Sequence, residues 1–187
     1  MLFAMIQNGK KSIKFKSRPV LIVEDNKLIA TELQNLCNEL GIESEHALNG
    51  RIALDLVKSK AYSVFIVDLL LPVMDGRTFI NELKKILTEP VILVESSLDS
   101  NETIIEVMKT GVFDYIIKPI DEELFKKTLL KALEFQYLKE SEKNIIENEE
   151  IKLRGQLEWL SYKETRLKTG EDSHEKHSIY NLKTSLS

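Results

Sequence analysis

The sequence predicts an open α/β fold: a doubly wound, five-stranded parallel sheet in the order 2-1-3-4-5, with helices on both faces, followed by a long α-helical extension. Three observations predict it. Five short runs, at 20–23, 42–47, 64–67, 91–94 and 114–117, are each separated from the next by a segment of helical period. Strict alternation of strand and helix implies right-handed crossovers and a parallel sheet covered on both faces. Three of the runs, Val20-Leu-Ile-Val23, Val64-Phe-Ile-Val67 and Val91-Ile-Leu-Val94, are apolar throughout, as strands buried on both faces are. Finally, charged residues stand at the ends of the runs (Glu24, Asp25, Asp68 and Lys118), the edge where folds of this class place their chemistry.

The elements follow in order from Pro19. The first strand ends in Glu24-Asp25-Asn26, and Leu28, Ile29, Leu33, Leu36, Cys37 and Leu40 then recur at helical spacing until Gly41 supplies the stop. Residues 42–47 form a second, weaker strand. Asn49-Gly50 marks a turn, and Ile52, Ala53, Leu56 and Val57 make the next helix face. The third strand runs into Asp68 and a loop punctuated by Pro72 and Gly76, and Phe79, Leu83, Ile86 and Leu87 continue as a helix. Pro90 precedes the fourth strand. Ile104, Ile105, Val107 and Met108 form a short helix closed by Gly111. The fifth strand, Asp114-Tyr-Ile-Ile117, ends in Lys118-Pro119, and Asp121 is placed to cap the last helix. This organises the chain as an N-terminal extension (1–18), an α/β domain (19–136) and a helical extension (137–187). The first segment carries Lys10, Lys11, Lys14, Lys16 and Arg18 without an acid, and reads as a solvated arm.

Composition narrows the function. A 187-residue chain with 43% hydrophobic and 30% charged residues is of globular type, and a net charge of −4 lacks the basic field of a nucleic-acid surface. The single Cys37 allows no internal disulfide, and no apolar run approaches the roughly 20 residues that span a bilayer, so the expected location is cytoplasmic.

Glu24, Asp25 and Asp68 follow neighbouring strands and converge at the topological switch point. Singly, an acid after a strand is usually a helix cap. Together they repel unless a cation neutralises them, and all-oxygen ligation favours a hard ion such as Mg²⁺, often shared with a phosphate. Lys118 adds a point positive charge on a long stem, suited to a phosphoryl group. Ser96, just past the fourth strand, offers a hydroxyl to a phosphoryl oxygen. Asp68 is then the candidate nucleophile.

These residues carry a resemblance. Val20-Leu-Ile-Val-Glu-Asp-Asn26, Val67-Asp-Leu-Leu-Leu-Pro-Val-Met-Asp-Gly76 and Asp114-Tyr-Ile-Ile-Lys-Pro119 resemble the signature segments of response-regulator receiver domains of two-component signalling, over about residues 19–136. The resemblance implies a flavodoxin-like fold and a phosphoryl group accepted on Asp68 from a sensor histidine kinase or a histidine phosphotransfer protein. It further implies Mg²⁺ held by Glu24, Asp25, Asp68 and the Leu70 carbonyl, with Lys118 on the phosphoryl oxygens. Ser96 would be the switch hydroxyl and Tyr115 the aromatic that follows it. One departure stands out: counting back from Lys118 puts the switch hydroxyl at Ser96, whereas counting forward from Pro90 puts Glu95 there. One residue is inserted in or after the fourth strand, and Ser96 is the expected switch.

Beyond Leu133 the strand signal ends. Ile146, Leu153, Leu157, Leu160 and Leu167 share a 3.5-residue register interrupted by Glu150 and Glu164, a flawed coiled-coil seam that predicts a long helix or hairpin and a homodimer. Nine Lys/Arg against ten Asp/Glu over 139–187, with no helix-turn-helix pattern, argue against nucleic acid, and no catalytic motif appears. Tyr180-Asn-Leu-Lys-Thr-Ser-Leu186 faintly resembles the box of histidine-kinase dimerisation helices, with tyrosine in the phospho-accepting place. The leading expectation is therefore a phosphorylation-switched signalling module, not an enzyme. The alternatives are a transcription regulator whose tail binds DNA and a truncated receiver–histidine-kinase-like protein.

Overall fold

The structure, a computed structural model, describes residues 3–7, 10–14 and 18–169, with side chains for 18–166 and 168. It divides into two compact units, residues 1–137 and 138–187.

In the first unit, β1 (Phe3–Gln7) and β2 (Lys10–Lys14) pair antiparallel, Phe3 against Lys14 and Gln7 against Lys10. The sequence reading had no element in this extension. The missed cue is Asn8-Gly9 between two five-residue runs, a dipeptide that favours two-residue hairpin connections.

The main sheet holds β3 (Val20–Val23), β4 (Ser44–Ala47), β5 (Phe65–Asp68), β6 (Ile92–Ser96) and β7 (Asp114–Ile117). All neighbours are parallel and the order is β4-β3-β5-β6-β7, the predicted 2-1-3-4-5. Alternation along each strand sends successive side chains to opposite faces. Leu21, Val23, Phe65, Val67, Ile92 and Val94 pack with α2 (Gly50–Ser59), α3 (Gly76–Ile86) and α4 (Asn101–Lys109) through Leu54, Phe79, Leu83 and Val107. Val20, Ile22, Ile66, Leu93 and Ile116 pack on the other face with α1 (Lys27–Glu39) and the start of α5 (Glu122–Thr169). Two buried cores explain why the central strands carry no polar residue before their ends.

Local chemistry sets the helix starts. Asn26, Asn49, Asp75 and Ser100 cap α1 to α4 through side-chain oxygens that accept from backbone N–H groups in the first turn, and Asp121 Oδ1 accepts from Leu124 N at 2.8 Å at the start of α5. Gly41 (φ 70°) and Gly111 (φ 79°) stop α1 and α4 in the left-handed region that glycine enters without a steric cost.

Over its first turns α5 buries Phe125, Leu129, Ala132 and Leu133, spaced four, three and one residues apart. It is one continuous helix to Thr169 rather than a hairpin. In the second unit Ile146, Leu153 and Leu157 are exposed, at 59%, 50% and 63%, while Leu160 is buried. The expected break at Gly170–Lys176, and Tyr180–Leu186, lie outside the described residues. No helix among the described residues is long and apolar enough to cross a membrane.

Candidate functional site

Three strand ends lie side by side. Val23 pairs with Val67, and Asp68 pairs with Glu95, which in turn pairs with Ile116. Glu24, one residue past Val23, Asp68 and Glu95 thus share one edge of the sheet. Lys118, two residues past Ile116, reaches back across it. Its Nζ lies 2.7 Å from Glu24 Oε2, 2.8 Å from Asp68 Oδ2 and 2.9 Å from Glu95 Oε2. The Lys118–Pro119 peptide is cis.

Each acid has its own setting. Glu24 is buried; Oε1 accepts from Asn26 N at 2.8 Å and its backbone carbonyl lies 2.6 Å from His46 Nε2. Asp68 is also buried, with Oδ1 accepting from Leu70 N at 3.0 Å and Oδ2 from Lys118. Asp25 is exposed on the rim. Carboxylate oxygens of Glu24, Asp25 and Asp68 all lie within 4.8 Å of one another. This oxygen-only set fits a hard divalent cation.

The titration pattern fits the crowding of acids. Asp25 is held above the ordinary aspartate value, first by desolvation and then by Glu24 and Asp68 nearby. Burial alone would raise Glu24 as well, but the adjacent Glu95 carboxyl, Lys118 and the Asn26 N–H outweigh it and hold the group low. Burial pushes Glu95 up to about 9, with Glu24 adding to the rise and Lys118 opposing it. Lys118 would be lowered by its own burial, yet hydrogen bonds to Asp68 and Glu24 and the charge of Glu95 raise it.

The loop after Asp68 is pressed against the strand it leaves. Gly76 N donates to the Leu69 carbonyl at 3.1 Å, and a Cβ on Gly76 would stand 2.1 Å from the Asp68 carbonyl oxygen. Glycine here is a matter of space.

Every sequence-predicted site residue can now be placed. Glu24, Asp25, Asp68 and Lys118 converge. Leu70 enters through its backbone, with its side chain largely outward. Ser96 and Tyr115 sit apart from the acids and meet at Leu98: Tyr115 OH donates to the Leu98 carbonyl at 2.5 Å, and Ser96 Oγ accepts from Leu98 N at 3.4 Å. The residue that the β5–β6 register sets opposite Asp68 is Glu95, fully buried. Among the described residues neither of its oxygens has a partner at a hydrogen-bonding angle, although Lys118 lies within ion-pair distance. The inserted residue therefore follows Glu95 rather than preceding it. An acid in an otherwise apolar strand was the signal for it.

A family model of the response regulator receiver domain matches residues 20–130. The transcriptional regulatory protein ZraR of Escherichia coli O157:H7 is 32% identical over 123 residues, which is 66% of this chain and 28% of that protein. The chemotaxis protein CheY of Thermotoga maritima is 31% identical over 114 residues, covering 60% of this chain and 95% of that one. Among solved structures, the Francisella response regulator 1452 receiver domain superposes with a TM-score of 0.57 at 32% identity, covering 62% of this chain and 96% of that one. The receiver domain of a histidine kinase from Syntrophus aciditrophicus gives 0.58 at 27%, covering 63% and 91%. The chain thus spans little more than a quarter of the length of the ZraR relatives it matches, within their matched portion.

Proposed function

Because the chain belongs to the response regulator receiver family, we propose that Asp68 is its phospho-acceptor and that phosphorylation there is the input it reads. The observation that carries this reading is the setting of Asp68: a buried carboxylate at a strand end, with one oxygen on Lys118 Nζ and two further carboxylates within 4.8 Å. The chemistry follows from that setting. An Asp68 oxygen attacks the phosphorus of a phosphohistidine on a histidine kinase or phosphotransfer protein. The O–P bond forms, the P–N bond breaks, and the imidazole leaves with the electron pair and takes up a proton. Lys118 binds the phosphoryl oxygens as charge accumulates on them. The Leu70 N–H fixes the orientation of the attacking carboxylate. Glu24, Asp25, Asp68 and the Leu70 carbonyl would hold Mg²⁺, which when bound supplies charge neutralisation and polarises the transferred phosphoryl group.

Ser96 and Tyr115 are the proposed responding groups. Both bond to Leu98, the first residue of the β6–α4 loop after Ser97, so a shift of either releases the same segment. The exposed Ile146, Leu153 and Leu157 support a homodimer through the second unit's helix as the output. Wild type and Asp68→Asn, treated with a small acyl phosphate and Mg²⁺, are to be followed by intact mass and oligomeric size together. An Asp68-dependent gain of one phosphoryl group is expected. No gain refutes the acceptor, and a gain without any dimer removes the proposed assembly while leaving the acceptor standing.

A further inference from the structure

Lys118 presents three N–H donors, and three of the chain's own carboxyl groups lie within 2.9 Å of its nitrogen. Its nitrogen is thus ringed by carboxyl groups before any phosphoryl group arrives, two of them hydrogen-bonded and Glu95 at ion-pair distance on the remaining side. An oxygen of a phosphoryl group on Asp68 comes up to Lys118 only if one of the three carboxyl groups gives way beside its nitrogen. Asp68 is the group being modified, and its oxygen moves with the phosphoryl group. Glu24 is anchored by the Asn26 N–H and belongs to the oxygen cluster with Asp25. Glu95 is the least anchored of the three: it is fully buried beside Glu24, neither oxygen is at a hydrogen-bonding angle to any partner among the described residues, and it stands within ion-pair distance of Lys118 from the strand position paired with Asp68.

We infer that Glu95 is a positioning residue that holds Lys118 back from the phosphoryl group on Asp68, and so limits how far the chain is phosphorylated at a given donor concentration. This rests on the reading of Asp68 as phospho-acceptor. A carboxyl oxygen 2.9 Å from the ammonium attracts it in either protonation form, so the competition needs no titration of Glu95. It also acts at short range: with both Asp68 Oδ2 and Glu95 Oε2 inside 2.9 Å of one nitrogen, a phosphoryl group on Asp68 arrives beside the Glu95 carboxyl. Two oxygen-rich groups then share one cation in a buried site, where the interaction is strong. A shorter side chain at 95 opens the space beside Lys118 Nζ and removes the carboxyl oxygens that a phosphoryl group would meet there.

The test uses the full chain with acetyl phosphate and Mg²⁺, at a donor concentration that phosphorylates wild type only in part. Intact mass gives the ratio of phosphorylated to unmodified protein for wild type, Glu95→Thr and Glu95→Gln, each alone and combined with Lys118→Met. Thermal unfolding is recorded in parallel. Glu95→Thr is expected to raise the ratio about tenfold, the effect of removing one close oxygen from beside a buried cation. Glu95→Gln still offers an oxygen to Lys118 and stays close to wild type, which a loss of packing would not predict. In the Lys118→Met background Glu95→Thr has no effect. If wild type is phosphorylated on Asp68 and Glu95→Thr fails to raise the ratio, or the rise persists without Lys118, the inference is overturned. If no variant gains mass on Asp68, the acceptor reading itself falls and takes the inference with it.

Discussion

Replacing Gly76 by alanine tests how the strand end and its loop hold Asp68 in place. A Cβ there would lie 2.1 Å from the Asp68 carbonyl oxygen, 2.7 Å from Leu69 Cα and 2.9 Å from the Asp68 carbonyl carbon. Unstrained contacts between heavy atoms of this kind are about 3.5 Å, so backbone must move by roughly 1 Å. All three contacted atoms are main chain, and the two segments are tied by the Gly76 N–Leu69 O bond and the Asp75 cap, so no side chain can yield instead. Overpacking costs about 1–3 kcal/mol, and the upper end applies here. Alanine returns at most about 1 kcal/mol of helix propensity at the start of α3. The net loss is about 2 kcal/mol, or roughly 4–8 °C in Tm for a chain of this size. Asp68 is displaced with its own carbonyl, so acyl-phosphate labelling falls as well. Gly155→Ala is the control: nothing lies within 4 Å of its added Cβ, and it should stabilise α5 by up to about 1 kcal/mol. Thermal unfolding and intact mass after acetyl phosphate read both effects. A Gly76→Ala protein that melts and labels like wild type would refute the reasoning.

Two further outcomes follow from backbone and cap chemistry. Val73, exposed in the same loop, holds φ at 68°, a region that a β-branched residue enters at a cost of about 1–2 kcal/mol. Val73→Asn, which tolerates that region, should therefore gain about 1 kcal/mol in denaturant unfolding, and a loss would show that Val73 makes a compensating contact. Asp75 caps α3 and is held below the ordinary aspartate value by the Thr78 hydroxyl first and the Thr78 N–H next. A carboxylate depressed on folding contributes stability above its unfolded value, about 3.9, and loses it as pH falls through the folded one. Asp75→Asn should thus be less stable than wild type at neutral pH and converge with it in acid. A gap that stays constant across that range would assign the difference to something other than charge.

Most of the fold was legible because each rule acted alone. The doubly apolar strands, the capping residues and the stops at Gly41 and Gly111 are local signals, and neighbouring signals agree with one another. The hairpin of β1 and β2 was less legible: its signal is Asn8-Gly9 between two short runs, and the lysines of the second run overlay its alternation with charge. Helix α5 was legible in period but not in form: a seam interrupted by Glu150 and Glu164, with Gly155 between them as a turn signal, fits a hairpin as well as one helix, and only tertiary structure separates the two.

Glu95 marks the point where sequence spacing stops being informative. Strand side chains alternate with a period of two, so one inserted residue decides whether Glu95 or Ser96 faces the acids, and it does so without changing the composition of the strand. Counting from Pro90 and counting from Lys118 are equally local, and they disagree. The tie is broken by pairing, which sets Glu95 beside Asp68 on one neighbour and beside Ile116 on the other. That register leaves Ser96 on the opposite face, bonded to Leu98 together with Tyr115. The consequence is physical as well as geometric. A site with Ser96 facing inward would put two carboxyl groups beside Lys118, whereas the site as built puts three there. A one-residue shift in a buried strand therefore decides whether a hydroxyl or a third carboxyl group stands beside the lysine.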